Sequence, residues 1–214
     1  MRGPPSARYL DSLIDFDLAR TMPNSVWRSE RLVYRAIEAE DGAVLDTLYS
    51  PDDWEQMEIS VLTPRESWKT NGLIEKFSNA TLGTVICLPT ITEQDEQHLE
   101  PIGLLNLFAI ADSQRQHRST ALGISIGRQY QRRGYGTEAI KWAVEWGFRH
   151  ANLHRIWLEA FQWNIGAVRA YEHAGFKLEV QARSDLWYKG QFRDSVVMSI
   201  LEDEWRASQR INAQ

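Results

Sequence analysis

The chain has 214 residues, 43% of them hydrophobic and 25% charged, the balance of one ordinary globular domain with a sizeable core. A net charge of −5 excludes a global basic field that would gather nucleic acid. The opening residues, MRGPPSARYLDSL, lack the apolar core of a signal peptide, and no apolar run reaches membrane-spanning length. The single Cys87 has no internal disulfide partner and reads as a small buried hydrophobe rather than a nucleophile. A reducing, cytoplasmic setting is therefore expected, with neither nucleic acid nor membrane as partner.

Residues 1–28 carry Pro4, Pro5 and Pro23 and read as an N-terminal extension, partly ordered by docking through Tyr9, Leu13 and Phe16. A short strand follows at 32–36. Residues 38–49 place Ala39, Ala43, Val44 and Leu48 at helical spacing, and Pro51 ends that run. The run DDWEQMEISV at 52–61 is ambiguous and is expected to border a pocket. Thr63-Pro64-Arg65-Glu66 carries a helix start, with Thr63 as cap, Pro64 first and Glu66 three residues beyond the cap. That helix is expected to reach about 79, with Gly72 a weak point inside it.

Strands are expected at 81–88, 101–110 and 121–127, linked by an acidic connection at 89–100 and a polar loop at 112–120. Residues 135–151 form the clearest helix. Ala139, Ile140, Ala143, Val144, Gly147 and Phe148 share its apolar face, while Glu138, Lys141, Glu145 and Arg149 lie opposite. A strand at 155–161 leads to a short helix capped by Asn164 and stopped at Gly175-Phe176. Strands at about 176–188 and 191–201 flank a Lys189-Gly190 turn. The expected fold is α+β, a mixed and mostly antiparallel sheet flanked by helices, with the domain at 29–205 and a tail at 206–214.

Two motifs carry chemistry. Gln131-x-x-Gly134-x-Gly136 follows a strand and opens a helix. Main-chain N–H groups and a helix dipole equivalent to roughly half a positive charge make that turn an anion site. The spacing is too short for a dinucleotide fingerprint, and no P-loop lysine follows. Alone, it is as readily an ordinary glycine turn. The second motif, N-x-x-A-x-x-x-Y-x-x-x-G-F, runs from Asn164 through Ala167 and Tyr171 to Gly175 and Phe176.

Together, in this order, the two motifs resemble the GNAT superfamily of acyl-CoA-dependent N-acyltransferases. The likeness covers about residues 29–205. The opening SERL-x-x-R and the closing WYKGQFRDSVVMSIL are similar to the branch containing ribosomal-protein-alanine and spermidine acetyltransferases. Two features depart from that branch: Val180 stands where a glycine is common, and residues 1–28 have no counterpart.

The resemblance implies acetyl-CoA as acyl donor, an amine as acceptor, no metal, and a monomer or homodimer. It places the pyrophosphate on Gln131, Arg132, Arg133, Gly134, Tyr135, Gly136 and Thr137. It lays the pantetheine arm along the main chain of Ile124, Ser125 and Ile126, on a strand splayed from its neighbour, commonly by a bulge. Small Gly123, Ser125 and Gly127 are expected to leave room for that arm. A main-chain N–H near Ile126 polarises the thioester carbonyl, Tyr171 protonates the departing thiolate, and Asn164 and Ala167 border the arm. Asn164 must divide itself between cap and cofactor.

The acceptor pocket is expected to use Trp54, Glu58 and Trp187, a carboxylate beside aromatic walls that suit an ammonium. The general base is open among Glu58, Asp112, His117, Glu159 and a water chain. The reaction expected is direct attack of a primary amine (small amine, polyamine, amino acid or protein N-terminus) on the thioester. A catalytically silent acyl-CoA-binding sensor is the alternative.

Overall fold

The computed structural model describes residues 25–42, 48, 69–91 and 97–212. The expectations for Tyr9, Leu13, Phe16, Trp54, Glu58 and the Thr63 cap lie outside those residues. The strands are β1 (Val33–Arg35), β2 (Leu82–Ile91), β3 (Gln97–Leu107), β4 (Ser119–Ile126), β5 (Arg155–Phe161), β6 (Lys177–Tyr188) and β7 (Gln191–Leu201). Four helices are labelled α1 (Lys69–Ser78), α2 (Tyr135–Arg149), α3 (Ile165–His173) and α4 (Glu202–Asn212). Of the hairpin strands, β2 runs on to Ile91 and β3 begins at Gln97, beyond the expected 88 and 101, while β3 ends at Leu107, short of 110. The polar loop after β3 is a short 3₁₀ helix, Asp112–His117.

One seven-stranded sheet has the order β1-β2-β3-β4-β5-β7-β6. Every pairing is antiparallel except β4 with β5. Side-chain alternation divides the sheet into two faces. On one face Leu105, Leu107, Leu122, Ile156 and Leu158 pack against Ile140, Val144 and Phe148 of α2, Tyr171 of α3 and Ala174 just after it. On the other, Val33, Val85, Cys87 and Leu104 pack with Leu48 and with Phe77 of α1. The anticipated apolar stripe of α2 is buried, joined by Trp142. On its outer side Glu145 and Arg149, four residues apart, form an ion pair at 2.8 Å.

The ends of the domain are tied into this core. Trp27 tilts against Trp142 and Trp146, and the Trp142 indole N–H donates to the Val26 carbonyl at 2.9 Å. Residues 25–28 thus dock on α2 although they belong to the expected extension. The boundary expected at 205 falls inside α4, whose Trp205 is 6% exposed and lies against Phe148.

Close packing makes one glycine indispensable. A Cβ on Gly83 would strike the Phe77 carbonyl oxygen and lie 2.8 Å from its carbon, both main-chain atoms that cannot rotate aside. Gly83→Ala should therefore destabilise the fold by about 1–3 kcal/mol, read as a lower urea midpoint at unchanged slope.

Candidate active site

The central feature is a fork. β4 and β5 pair in parallel only at Ser119↔Arg155, Thr120↔Ile156 and Ala121↔Trp157, although β4 continues to Ile126 and β5 to Phe161. Beyond the fork β4 remains paired with β3 in continuous register, from Leu107↔Leu122 to Gly103↔Ile126. The expected bulge in β4 is absent; the two strands part without one.

Alternation in the β3–β4 ladder decides which main-chain groups face the gap. Phe108 N–H donates to the Ala121 carbonyl and Gly127 N–H to the Ile102 carbonyl. Odd-numbered residues of β4 therefore turn their main chain to β3, and Leu122, Ile124 and Ile126 turn theirs to the gap. Ser125, expected in the same rail, has its main chain directed to β3. The Ile126 carbonyl accepts from Gln131 Nε2 at 2.9 Å. Its oxygen is satisfied, and its N–H faces the gap.

The neighbouring glycines do not leave space as anticipated. A Cβ on Gly123 would lie 2.6 Å from Asn106 Oδ1 and 3.3 Å from the Phe108 ring. One on Gly127 would collide with Leu48. Both lie against packed side chains, Asn106 of β3 and Leu48 on the face of the sheet, rather than beside an empty channel.

At the end of β4 the chain turns into α2. Arg132 and Gly134 have φ of 59° and 85°, a left-handed pair in which glycine is at ease and arginine is not. Such turns gather successive N–H groups into a concave anion site. No side chain caps α2, and its first main-chain bond to the turn is Glu138 N–H to the Gly134 carbonyl at 3.0 Å. The N–H groups of Tyr135, Gly136 and Thr137 therefore remain for a ligand. A Cβ on Gly136 would stand 3.7 Å from Ile126, so the turn abuts the end of the rail. Arg132 and Arg133 are exposed.

Glu138 was expected on the solvent face of α2. Instead its carboxylate, 13% exposed, accepts from Ser29 Oγ, Arg31 N–H and Arg31 Nε, each at 2.7 Å. Arg31 also donates through Nη1 to the Arg133 carbonyl at 3.0 Å and covers the Tyr135 ring at 4.7 Å. The opening S-E-R was in view as a motif, but a contact 107 residues away leaves no local periodicity to read.

On α3, Asn164 Oδ1 accepts from Ala167 N–H at 3.2 Å, as expected of a cap. Its two roles need not compete, because the cap takes the oxygen and leaves the amide N–H₂ able to donate. Tyr171 is 8% exposed and lies tilted against Phe176, ring centroids 6.0 Å apart. Among the described residues its hydroxyl has no hydrogen-bond partner. Burial pushes the phenol up to about 12.

Of the base candidates, Asp112 and His117 sit on the 3₁₀ helix ahead of β4, at the paired end of the fork, and Asp112 is bridged to Arg115 at 2.9 Å. Glu159 lies on β5 two residues past the last β4 pairing, exposed, on the face opposite Ile156, Leu158 and Ala160. Phe161 shares that face and opens an aromatic ladder: Phe161 stacks on Trp163 at 4.9 Å, and Trp163 on Tyr188 at 5.1 Å. Trp187, the ring expected at the acceptor, turns to the other side of the hairpin and meets Phe192 edge-on at 5.0 Å. Cys87 is buried, and desolvation raises its thiol to about 11, which suits a packing role. Among the described residues no cluster of His, Cys, Asp or Glu is placed to hold a metal, and no helix is long and apolar enough to cross a membrane.

A family model described as an acetyltransferase (GNAT) domain matches residues 31–177, across β4, the glycine turn and α3. The chain belongs to the GNAT acetyltransferase family. Among curated relatives, the spermidine N(1)-acetyltransferase of Escherichia coli K12 is 30% identical over 115 residues, 54% of this chain and 60% of that protein. The [ribosomal protein uS5]-alanine N-acetyltransferase of the same strain is 24% identical over 196 residues, 89% of this chain and 97% of that one. A crystal structure of the Vibrio cholerae spermidine N-acetyltransferase with CoA and spermine has a TM-score of 0.65 at 25% identity, covering 83% of this chain and 99% of that one. The spermidine acetyltransferase alignment thus spans only about three-fifths of that relative. The fold of this GNAT domain is that of the family: a mostly antiparallel sheet with one parallel pair at its fork.

Burial of Tyr171 has a measurable consequence. Its folded pKa lies above the unfolded value near 10, so the neutral phenol's contribution to stability is intact below about pH 10 and is lost as pH rises through about 12. Tyr171→Phe should remove one tyrosinate absorbance step near pH 12 and reduce alkaline destabilisation above pH 10, both followed by absorbance and circular dichroism.

Proposed function

We propose that this chain transfers the acetyl group of acetyl-CoA to a primary amine by direct attack, without a covalent enzyme intermediate. The observation that carries the reading is the fork, with the N–H groups of Ile124 and Ile126 facing the gap and the uncapped turn of α2 at its mouth. The phosphates belong on the N–H groups of Gly134, Tyr135, Gly136 and Thr137, with Arg132 and Arg133 adding charge-assisted contacts. The pantetheine amides pair with Ile124 and Ile126 as a short added strand, and Asn164 donates from across the gap.

The neutral amine attacks the thioester carbon. Carbonyl electrons move to oxygen, where the Ile126 N–H stabilises the oxyanion. Collapse re-forms the carbonyl and expels the CoA sulfur. Tyr171 faces a thiolate whose conjugate acid has a pKa of about 8.5, well below that of its own phenol. It therefore acts as a hydrogen-bond donor to sulfur as the C–S bond breaks, passing a proton only as one is returned to it. Glu159 receives the ammonium proton, and the ladder of Phe161, Trp163 and Tyr188 gives the cation an aromatic wall.

The named relatives act on spermidine and on a ribosomal protein's alanine. Both acceptors present a primary amine, and the exposed carboxylate beside stacked rings favours a cationic one. A silent acyl-CoA sensor fits less well, since it would have no use for an unpartnered phenol inside the fold.

Acetyl-CoA-dependent thiol release across polyamines, amino acids, arylamines and peptide N-termini tests the proposal. At least one amine should release CoA. Tight CoA binding with no release for any amine would favour the sensor. Tyr171→Phe should lower kcat about 100-fold while CoA affinity stays within about twofold. Glu159→Gln should lower kcat/KM for the amine by about 10- to 100-fold and leave KM for acetyl-CoA in place. Unchanged turnover in either variant retires that residue's role.

A further inference from the structure

A carboxylate in the first turn of an anion-binding helix is an awkward neighbour. It lies close to the helix terminus that favours negative charge, and it repels an incoming phosphate. Glu138 occupies that place in α2, and its carboxylate is 13% exposed, so solvent screens it little. Arg31 cancels it. The guanidinium Nε and the Arg31 main-chain N–H take the two carboxylate oxygens, with Ser29 Oγ sharing one of them.

The same guanidinium holds the turn from outside. Nη1 donates to the Arg133 carbonyl at 3.0 Å, the cation lies 4.7 Å from the Tyr135 ring centroid, and Nη2 stands 3.1 Å from where a Cβ on Gly134 would be. Arg31 therefore touches residues on both sides of Gly134, the left-handed residue on which the N–H concavity depends. Two other cations in the turn, Arg132 and Arg133, are exposed and are placed to meet phosphate directly. Arg31 has another task.

We propose that Arg31 is a positioning residue for the CoA phosphates: it neutralises Glu138 and fixes the Arg133–Tyr135 turn so that its N–H groups are preorganised for the pyrophosphate. This rests on the acetyl-CoA reading above and adds a residue from just ahead of the first strand to the phosphate site. The effect should fall on the nucleotide end of the donor and spare the thioester end.

The test compares acetyl-CoA with S-acetyl-pantetheine, which carries the thioester but no phosphate. Arg31→Ala should raise KM for acetyl-CoA and the Kd for CoA by about tenfold or more, with kcat and the turnover of S-acetyl-pantetheine within about twofold. Glu138→Gln in the Arg31→Ala background should recover part of the lost CoA affinity, because it removes the uncompensated charge, and Arg31→Lys should recover less than half. An equal loss with both donors would mean that Arg31 serves only the fold. No loss with either would mean that it serves nothing at this site. Either result overturns the proposal while leaving CoA binding by the parent chain in place, whereas a parent chain that fails to bind CoA overturns the acetyl-CoA reading as well.

Discussion

A sheet normally leaves no main-chain polar group unpaired in its interior, because each one costs free energy when buried without a partner. The fork between β4 and β5 breaks that rule at the centre of this fold. The gap-facing groups of Ile124 and Ile126 are held open by full pairing of the same strand with β3 and by strong burial of β3 and β5 on either side. The rest of the molecule can be read as support for that opening. α2 and α3 pack one face beside it, α1 packs the other, and the turn before α2 closes its mouth with donors rather than with side chains.

Chemistry at such an opening is asymmetric. One face brings the helices that suit an anionic donor and a buried phenol, and the opposite face brings Glu159 and stacked rings that suit a cation. The fork is the passage between the two. Asn106 adds a related detail: among the described residues its buried side-chain amide nitrogen has no hydrogen-bond partner, and its oxygen lies 2.6 Å from where a Cβ on Gly123 would be. The strands flanking the fork therefore carry polar tension in side chains as well as in main chain.

Most of this architecture was legible in the sequence because it rests on local signals. Periodicity exposed the stripe of α2 at Ala139, Ile140, Ala143 and Val144, and the Asn164 cap and Gly175 stop framed α3. β7 lies where alternation placed it. What escaped had no local signature. The strand ends at 89–91 and 97–100 are polar and acidic, and pairing across the hairpin outweighs their composition. The fork's lack of a bulge, the turning of Ser125 toward β3, and the choice of Tyr188 over Trp187 for the aromatic ladder all depend on register, where one residue reverses the answer. Glu138 looked like a solvated charge because its partners lie more than a hundred residues earlier in the chain.

That long-range tie also bears on folding. The contact between Arg31 and Glu138 spans 107 residues, and Trp142 reaches Val26 across 116. Closing so long a loop carries an entropic cost that nearby contacts must offset. The glycine turn before α2 is part of the same tie, since Arg31 also holds the Arg133 carbonyl. Any ligand bound there selects the finished fold, adding about 2.7 kcal/mol of stability at a hundredfold excess over its Kd. A ligand in that turn thus becomes part of what keeps residues 26–31 against α2.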